Sequence, residues 1–184
     1  DDGFGYALAS GKDVTGDGVH DLLVGSFGSE KAMLFSGSLG SGEFTTADAL
    51  ITLTGASSTA GFGASLDLVT DFDGDGIGDI VVGAPASALG DRVDQGEVRV
   101  FFGPFEGAEG GVADDILMDT SLSFLGSTVI DAGHLTGIDT SAVAASYSEP
   151  STGEDGVIIF DDGPLSGDMK WQNQVVGNGA FDGF

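Results

Sequence analysis

The chain has 184 residues, of which 30 are acidic and 5 are lysine or arginine, giving a formal net charge of −25. Such a charge repels phosphate backbones and anionic lipids, so no nucleic-acid partner is expected. Cysteine is absent, which excludes disulfides and thiolate metal sites, and no apolar run approaches the ~20 residues that membrane insertion needs.

The first unit contains predicted strands at 5–10, 21–26, 31–36 and 49–54, where apolar and β-branched residues lie between Gly, Asp and Ser. Between the first two strands, Asp13, Asp17 and Asp21 stand at positions 1, 5 and 9 of a nine-residue segment, with Thr15 at position 3. Carboxylates this close repel one another unless a hard cation lies among them, and Ca²⁺ takes six to eight oxygen ligands. A solvated acidic turn is the alternative.

The second unit repeats this pattern more completely. Its predicted strands lie at 63–69, 79–84, 97–103 and 115–119. Acids stand at positions 1, 3, 5 and 9 of its loop, and glycine fills position 6 of both loops; the four acids are Asp71, Asp73, Asp75 and Asp79. An EF-hand would need Glu at position 12, where Val24 and Val82 stand instead inside apolar runs. The ion is therefore expected in a loop between two strands.

The third unit matches the pattern of the first two only in part. Its predicted strands lie at 126–130, 141–147, 156–161 and 173–177, and the segment from Asp131 to Asp139 stands in for the loop. Only its end positions are acidic, so we expect this site to be empty or weak. The chain then ends with 181–184 resembling its opening, as if a fourth unit were starting.

Self-comparison gives a period near 60 residues, in which Gly3-Phe4-Gly5 matches Gly61-Phe62-Gly63. The Phe-Gly pair, the acidic loop and the following Gly83-Ala84-Pro85 resemble the FG-GAP repeat, which builds the β-propeller of integrin α-subunits and of many bacterial surface and secreted proteins. The resemblance implies one four-stranded blade per repeat. The chain would divide into repeat 1 (1–58), repeat 2 (59–120), a degenerate repeat 3 (121–178) and the start of another (179–184).

The resemblance also implies Ca²⁺ as the cofactor and a ligand set in each intact loop. The implied ligands are Asp13, Thr15, Asp17, the carbonyl of Val19 and Asp21 in the first loop, and Asp71, Asp73, Asp75, the carbonyl of Ile77 and Asp79 in the second.

The expected fold is all-β, a partial β-propeller of about three four-stranded blades with calcium-binding loops. Because propellers typically close with four to eight blades, further blades or partner chains are needed. The chain is therefore expected to belong to a larger chain or assembly, or to associate with copies of itself.

Three functions stay open. The first is a non-enzymatic, extracellular or cell-surface calcium-binding module for adhesion, recognition or assembly, with a protein or glycan surface as partner. The second is a structural building block of an extracellular filament or giant adhesin. The third is the appendage of a secreted hydrolase or lyase. No nucleophile set is found, because His20 and His134 lie in loops without a Gly-x-Ser-x-Gly elbow or an adjacent cysteine, so the chain is not expected to be an enzyme.

Overall fold

The computed structural model describes residues 2–56, 60–88, 93–107, 113–118, 122–134, 140–149, 153–161 and 173–176. The acids and glycines of the first two loops lie within these ranges. Asp139 and the closing segment 181–184, on which predictions were also made, lie outside them.

The described residues form twelve strands in three antiparallel sheets of four, and in each sheet the strands are neighbours in chain order. We call the sheets blades 1, 2 and 3. The strands are β1 (Phe4–Ser10), β2 (Leu22–Ser26), β3 (Lys31–Phe35), β4 (Ile51–Thr54), β5 (Ser65–Val69), β6 (Asp79–Ala84), β7 (Glu97–Phe101), β8 (Asp115–Leu117), β9 (Val129–Gly133), β10 (Ala142–Glu149), β11 (Glu154–Asp161) and β12 (Asn173–Val176). Three 3₁₀ turns accompany them, at Phe27–Ser29, Gly37–Leu39 and Thr46–Asp48.

The predicted all-β, partial-propeller fold is confirmed, and the strand predictions hold with one clear exception. The first strand of the third unit was predicted at 126–130 but begins at Val129. Phe124 and Gly126 both adopt positive φ, and Ser127 N–H donates to the carbonyl of Phe124. This turn occupies the residues that the apolar pattern assigned to the strand.

The apolar core lies between the blades rather than within one sheet. One cluster joins blades 1 and 2, including Phe62 and Phe101, whose ring centroids lie 6.2 Å apart. A second cluster joins blades 2 and 3. In β6, Ile80 belongs to the first cluster and Val81 to the second. Blade 2 therefore has both faces covered, which is why β6 is an unbroken apolar run after its first residue.

A polar chain connects all three blades beside the ends of their first strands. Lys12 Nζ donates to Thr70 Oγ1 at 2.5 Å, and Thr70 Oγ1 donates to Asp131 Oδ2 at 3.0 Å. Lys12 also lies 3.2 Å from the same carboxylate oxygen. Each residue comes from a different blade, so the contact holds three consecutive sheets together at one point.

Glu30 fixes the point where blade 2 begins. Its side chain is buried, and its carboxylate oxygens accept hydrogen bonds from the backbone N–H groups of Gly61 (3.0 Å) and Phe62 (2.7 Å). Buried N–H groups need partners, and here blade 1 supplies them to blade 2.

Replacing Glu30 with alanine should therefore lower the free energy of unfolding by about 2–3 kcal/mol, because two backbone donors lose their acceptor. Urea denaturation of the whole chain measures the change. Glu43→Ala is the matched control, since Glu43 is exposed and should change stability by no more than about 0.5 kcal/mol. Equal unfolding midpoints for the two variants would contradict the role given to Glu30.

Candidate metal centre

The second loop runs from the end of β5 to the start of β6 and wraps around Asp71. Gly74 and Gly76 have φ of 87° and 88°, and their N–H groups donate to Asp71 Oδ1 (2.7 Å) and Oδ2 (2.9 Å). A side chain at Gly76 would meet open space. Glycine is therefore needed there for its backbone conformation and not for lack of room.

Asp79 closes the loop from the other end. Its side chain is completely buried; Oδ2 accepts from Phe72 N–H at 2.5 Å and Oδ1 from Gly103 N–H at 3.0 Å. Phe72 is the second residue of the loop, and Gly103 lies just after β7. One carboxylate thus joins the loop, the strand that follows it and the turn after the next strand.

Three carboxylates converge in this loop. Ligand oxygens of Asp71, Asp73 and Asp79 all lie within 4.8 Å of one another. Two oxygens bound to opposite sides of one Ca²⁺ would lie about 5 Å apart, since each bond is about 2.3–2.6 Å. The group therefore fits a single cation of this size. Asp79 is buried, Asp71 is half-buried and Asp73 is exposed, so the group opens to solvent on one side.

The pKa values of Asp73 and Asp79 show that the protein does not fully compensate the charges of these two acids. Burial, together with the nearby charges of Asp73 and Asp75, raises the pKa of Asp79 to about 6 despite the hydrogen bonds from Phe72 and Gly103. Partial burial also raises the pKa of Asp73, with repulsion from Asp75 and Asp71 adding to it. A bound cation would supply the missing positive charge.

Asp75 lies outside the convergent group. Its Oδ1 accepts from Ile77 N–H at 2.7 Å, as in an Asx turn. The structure also adds an acid that the sequence analysis missed. Asp114 accepts from Phe102 N–H at 2.8 Å and contributes to the negative potential at Asp73. The sequence does not indicate this contact, because Asp114 lies directly before β8, far along the chain from the loop.

The first loop repeats the same backbone design. Asp13 accepts from Gly16 N–H (2.7 Å) and Gly18 N–H (2.8 Å), and both glycines have positive φ. Burial would raise the pKa of Asp13, but the hydrogen bonds from Gly18 and Gly16 outweigh it and lower the pKa. Asp13 is thus the counterpart of Asp71.

Asp21 is likewise the counterpart of Asp79. It is completely buried and accepts from Val14 N–H (2.9 Å) and from Gly37 N–H (3.1 Å). Gly37 follows β3 as Gly103 follows β7. The two loops are therefore equivalent in their backbone contacts at positions 1 and 9.

The two loops differ in how their remaining side chains are used. Thr15 Oγ1 lies 3.3 Å from an oxygen of Asp13 and 3.5 Å from one of Asp21. Asp17 accepts from Val19 N–H at 2.8 Å and from the Ser36 hydroxyl at 3.0 Å. Three acids do not converge in the first loop as they do in the second.

The predicted third loop is wrong in register. Asp131 is not a loop residue; it lies in β9, pairs with Val143 and contacts Lys12. Gly126 N–H donates to Ser146 O as Gly63 N–H donates to Gly83 O. Ser146 is therefore equivalent to Gly83. Asp79 lies four residues before Gly83, and Ala142 lies four residues before Ser146, so Ala142 occupies the position of Asp79. The third unit therefore has no acid at the buried ninth position.

His20 lies in the first loop, as expected, whereas His134 follows β9 directly; both side chains are exposed. Among the residues that the structure describes, no helix has the length and apolar character needed to cross a bilayer.

Comparison with protein families gives one result. The sequence model of the FG-GAP repeat matches residues 4–30 and 62–101, which contain the first two strands and the loop of blade 1 and the first three strands and the loop of blade 2. Comparison with curated proteins gives no match.

The raised pKa of Asp79 predicts an unusual pH dependence for metal-free protein. The folded state retains a proton on Asp79 up to about pH 6, whereas the unfolded chain releases it near 3.8. Stability of the metal-free protein should therefore fall as pH rises through this window, by an amount on the order of 3 kcal/mol.

Urea denaturation between about pH 4.5 and 7, on protein stripped of metal beforehand, measures this slope. Asp79→Asn should flatten it, whatever its effect on absolute stability. A metal-free protein that gains stability as pH rises across the same range would contradict the prediction.

Proposed function

Because the chain is an FG-GAP repeat protein, we propose that it is a non-enzymatic, calcium-stabilised β-propeller module that acts outside the cell or at its surface in adhesion, recognition or assembly. FG-GAP repeats are non-catalytic, propeller-type units that are typical of extracellular and surface proteins. The proposed partner is a protein or glycan surface, or further blades of the same kind.

The observation that carries this proposal is the convergence of Asp71, Asp73 and Asp79 within 4.8 Å. All three belong to a loop that joins two strands of one blade. A cation there would bind to acids that accept backbone hydrogen bonds from the loop itself and from the turn after β7. Its effect would be to stabilise the blade, which favours a structural role for the ion.

Ca²⁺ suits this loop better than Mg²⁺. The three carboxylates differ in burial, and Ca²⁺ accepts six to eight oxygens in irregular arrangements, whereas Mg²⁺ demands a near-ideal octahedron. Asp71, Asp73 and Asp79 would hold the ion, with Asp75 and the carbonyl of Ile77 as the further ligands. When bound, the ion would neutralise charge that the protein leaves uncompensated.

The first loop would be the weaker of two sites. Its ligands would be Asp13, Thr15, Asp17, the carbonyl of Val19 and Asp21. A threonine hydroxyl supplies no charge, and Asp17 is engaged by Ser36. Filling this loop would therefore require rearrangement of side chains that already have partners.

Calcium added to metal-free protein should raise the melting temperature by about 5–10 °C near saturation, because a ligand at one hundred times its Kd adds about 2.7 kcal/mol of stability. Differential scanning calorimetry and calorimetric titration measure the shift and the binding. The double variant Asp73→Asn/Asp75→Asn should lose most of both.

The matched control is Asp17→Asn, which alters the equivalent acid of the first loop. It should leave the first and tighter binding event in place. If calcium fails to bind or to stabilise the wild-type chain, the proposal is wrong. If Asp17→Asn removes the tighter event, the order of the two sites is reversed.

A further inference from the structure

The two interfaces between blades share one device, a position without a side chain that receives a carbonyl group. Gly25 in β2 lies against the carbonyl of Gly63, and Gly83 in β6 lies against the carbonyl of Gly126. A Cβ at either Gly25 or Gly83 would overlap that oxygen. We call this position the glycine slot. It lies in the second strand of a blade and faces the next blade.

The carbonyl that enters each slot comes from a left-handed glycine at the start of the next blade. Gly63 and Gly126 have φ of 88° and 85°. Gly5 at the start of blade 1 has φ of 87°, so its backbone is left-handed in the same way. A Cβ on Gly63 or Gly126 would meet the preceding blade, at Lys31 O and Glu97 O, whereas one on Gly5 would meet nothing within 4 Å.

The surface around Gly5 is apolar and uncovered. Phe4, Tyr6 and Leu8 are 37%, 64% and 64% exposed. The counterparts of Phe4 and Leu8 in blade 2, Phe62 and Leu66, are 0% and 7% exposed because blade 1 covers them, and Ala64, the counterpart of Tyr6, is half-buried. We call Phe4, Gly5, Tyr6 and Leu8 the open face. It has the conformation and the apolar character of the faces that are buried between blades.

Blade 3 lacks the glycine slot. Gly25, Gly83 and Ser146 pair with Ala32, Val98 and Val157 of the third strand of their blades, so Ser146 stands at the slot position. The Ser146 hydroxyl accepts from Thr128 N–H at 2.9 Å, which fixes its side chain within the sheet.

The face of blade 3 that carries Ser146 is nevertheless apolar and exposed. Val157 is 40% exposed, whereas Val98 at the same position of blade 2 is completely buried. Ile130 on β9 is exposed as well. An apolar face alone would allow a second copy of the chain to stack on blade 3. Since a Cβ at Gly25 or Gly83 would overlap the incoming carbonyl, the Cβ of Ser146 at the equivalent position would obstruct the carbonyl of a blade that stacks here.

We propose that the open face of blade 1 binds another β-blade with glycine at its slot position, and that Ser146 prevents blade 3 of a second copy from being that blade. The inference extends the assembly role proposed above, while it depends on the packing between blades and not on calcium. It selects a further FG-GAP-type blade, and not a copy of this chain, as the partner of the open face. Steric exclusion of the wrong partner is a recognised source of specificity.

The test uses the chain as both partners. In the double variant Ser146→Gly/Leu8→Asp, the first change opens the slot on blade 3 and the second blocks the open face of blade 1. This variant can therefore bind only through blade 3. The wild-type chain keeps its open face, but Ser146 fills the slot position of its blade 3. It can therefore bind only through its open face. Sedimentation velocity of each protein alone should show monomers, and the mixture should form a heterodimer.

Ser146→Ala/Leu8→Asp is the matched control, because alanine removes the hydroxyl and keeps the Cβ. Its association with wild type should be weaker by about tenfold or more, the cost of overpacking an interface. Circular dichroism of each variant checks that it is folded. Association of Ser146→Gly in both calcium and chelator would support the inference even if calcium binding failed.

Two results would overturn it. Wild-type chains that self-associate, and lose this on Leu8→Asp, would show that Ser146 does not close blade 3. A folded Ser146→Gly variant that binds the wild-type chain no better than the Ser146→Ala variant does would show that the slot does not select the partner.

Discussion

The structure depends on an aspartate that is buried at the end of each intact loop. Asp21 and Asp79 are inaccessible to solvent, and removing a carboxylate from water is costly unless donors surround it. The donors are backbone N–H groups from the second loop residue and from the turn after the third strand. Satisfying one side chain therefore sets where the loop, its following strand and the next turn meet, and the remaining loop acids are brought together as a result.

The three blades satisfy this constraint to different degrees. In blade 2 the acids converge and remain undercompensated. In blade 1 hydroxyl groups of Thr15 and Ser36 contact the loop acids. In blade 3 Ala142 stands at the buried position, and Asp131 is neutralised by Lys12 instead. The corresponding corner of the sheet thus contains a convergent group of acids in blade 2, acids hydrogen-bonded to hydroxyl groups in blade 1, and an ion pair in blade 3.

The sequence was sufficient to predict the strands, the period and the two intact loops, because glycines and acids that alternate at fixed spacing between apolar runs favour a tight turn lined with oxygen atoms. It was not sufficient for the third loop, where Asp131 and Asp139 happen to lie eight residues apart. The position of the third loop is decided by strand pairing, in which Gly126 N–H donates to the carbonyl of Ser146. This pairing leaves no pattern in the sequence. Glu30 was missed for a similar reason, since its backbone partners lie 31 and 32 residues away and leave no pattern in the chain.

Blade 3 also begins with a residue that departs from the repeat. Phe124 has φ of 53° where Gly3 and Gly61 have 66° and 71°, although a side chain makes this conformation unfavourable. The third unit adopts the same torsion angle although a phenylalanine stands at the position of the glycine. Backbone shape is therefore repeated more faithfully than residue identity among these three units, and blades of other chains with little sequence similarity would be recognisable by the same pairs of left-handed residues.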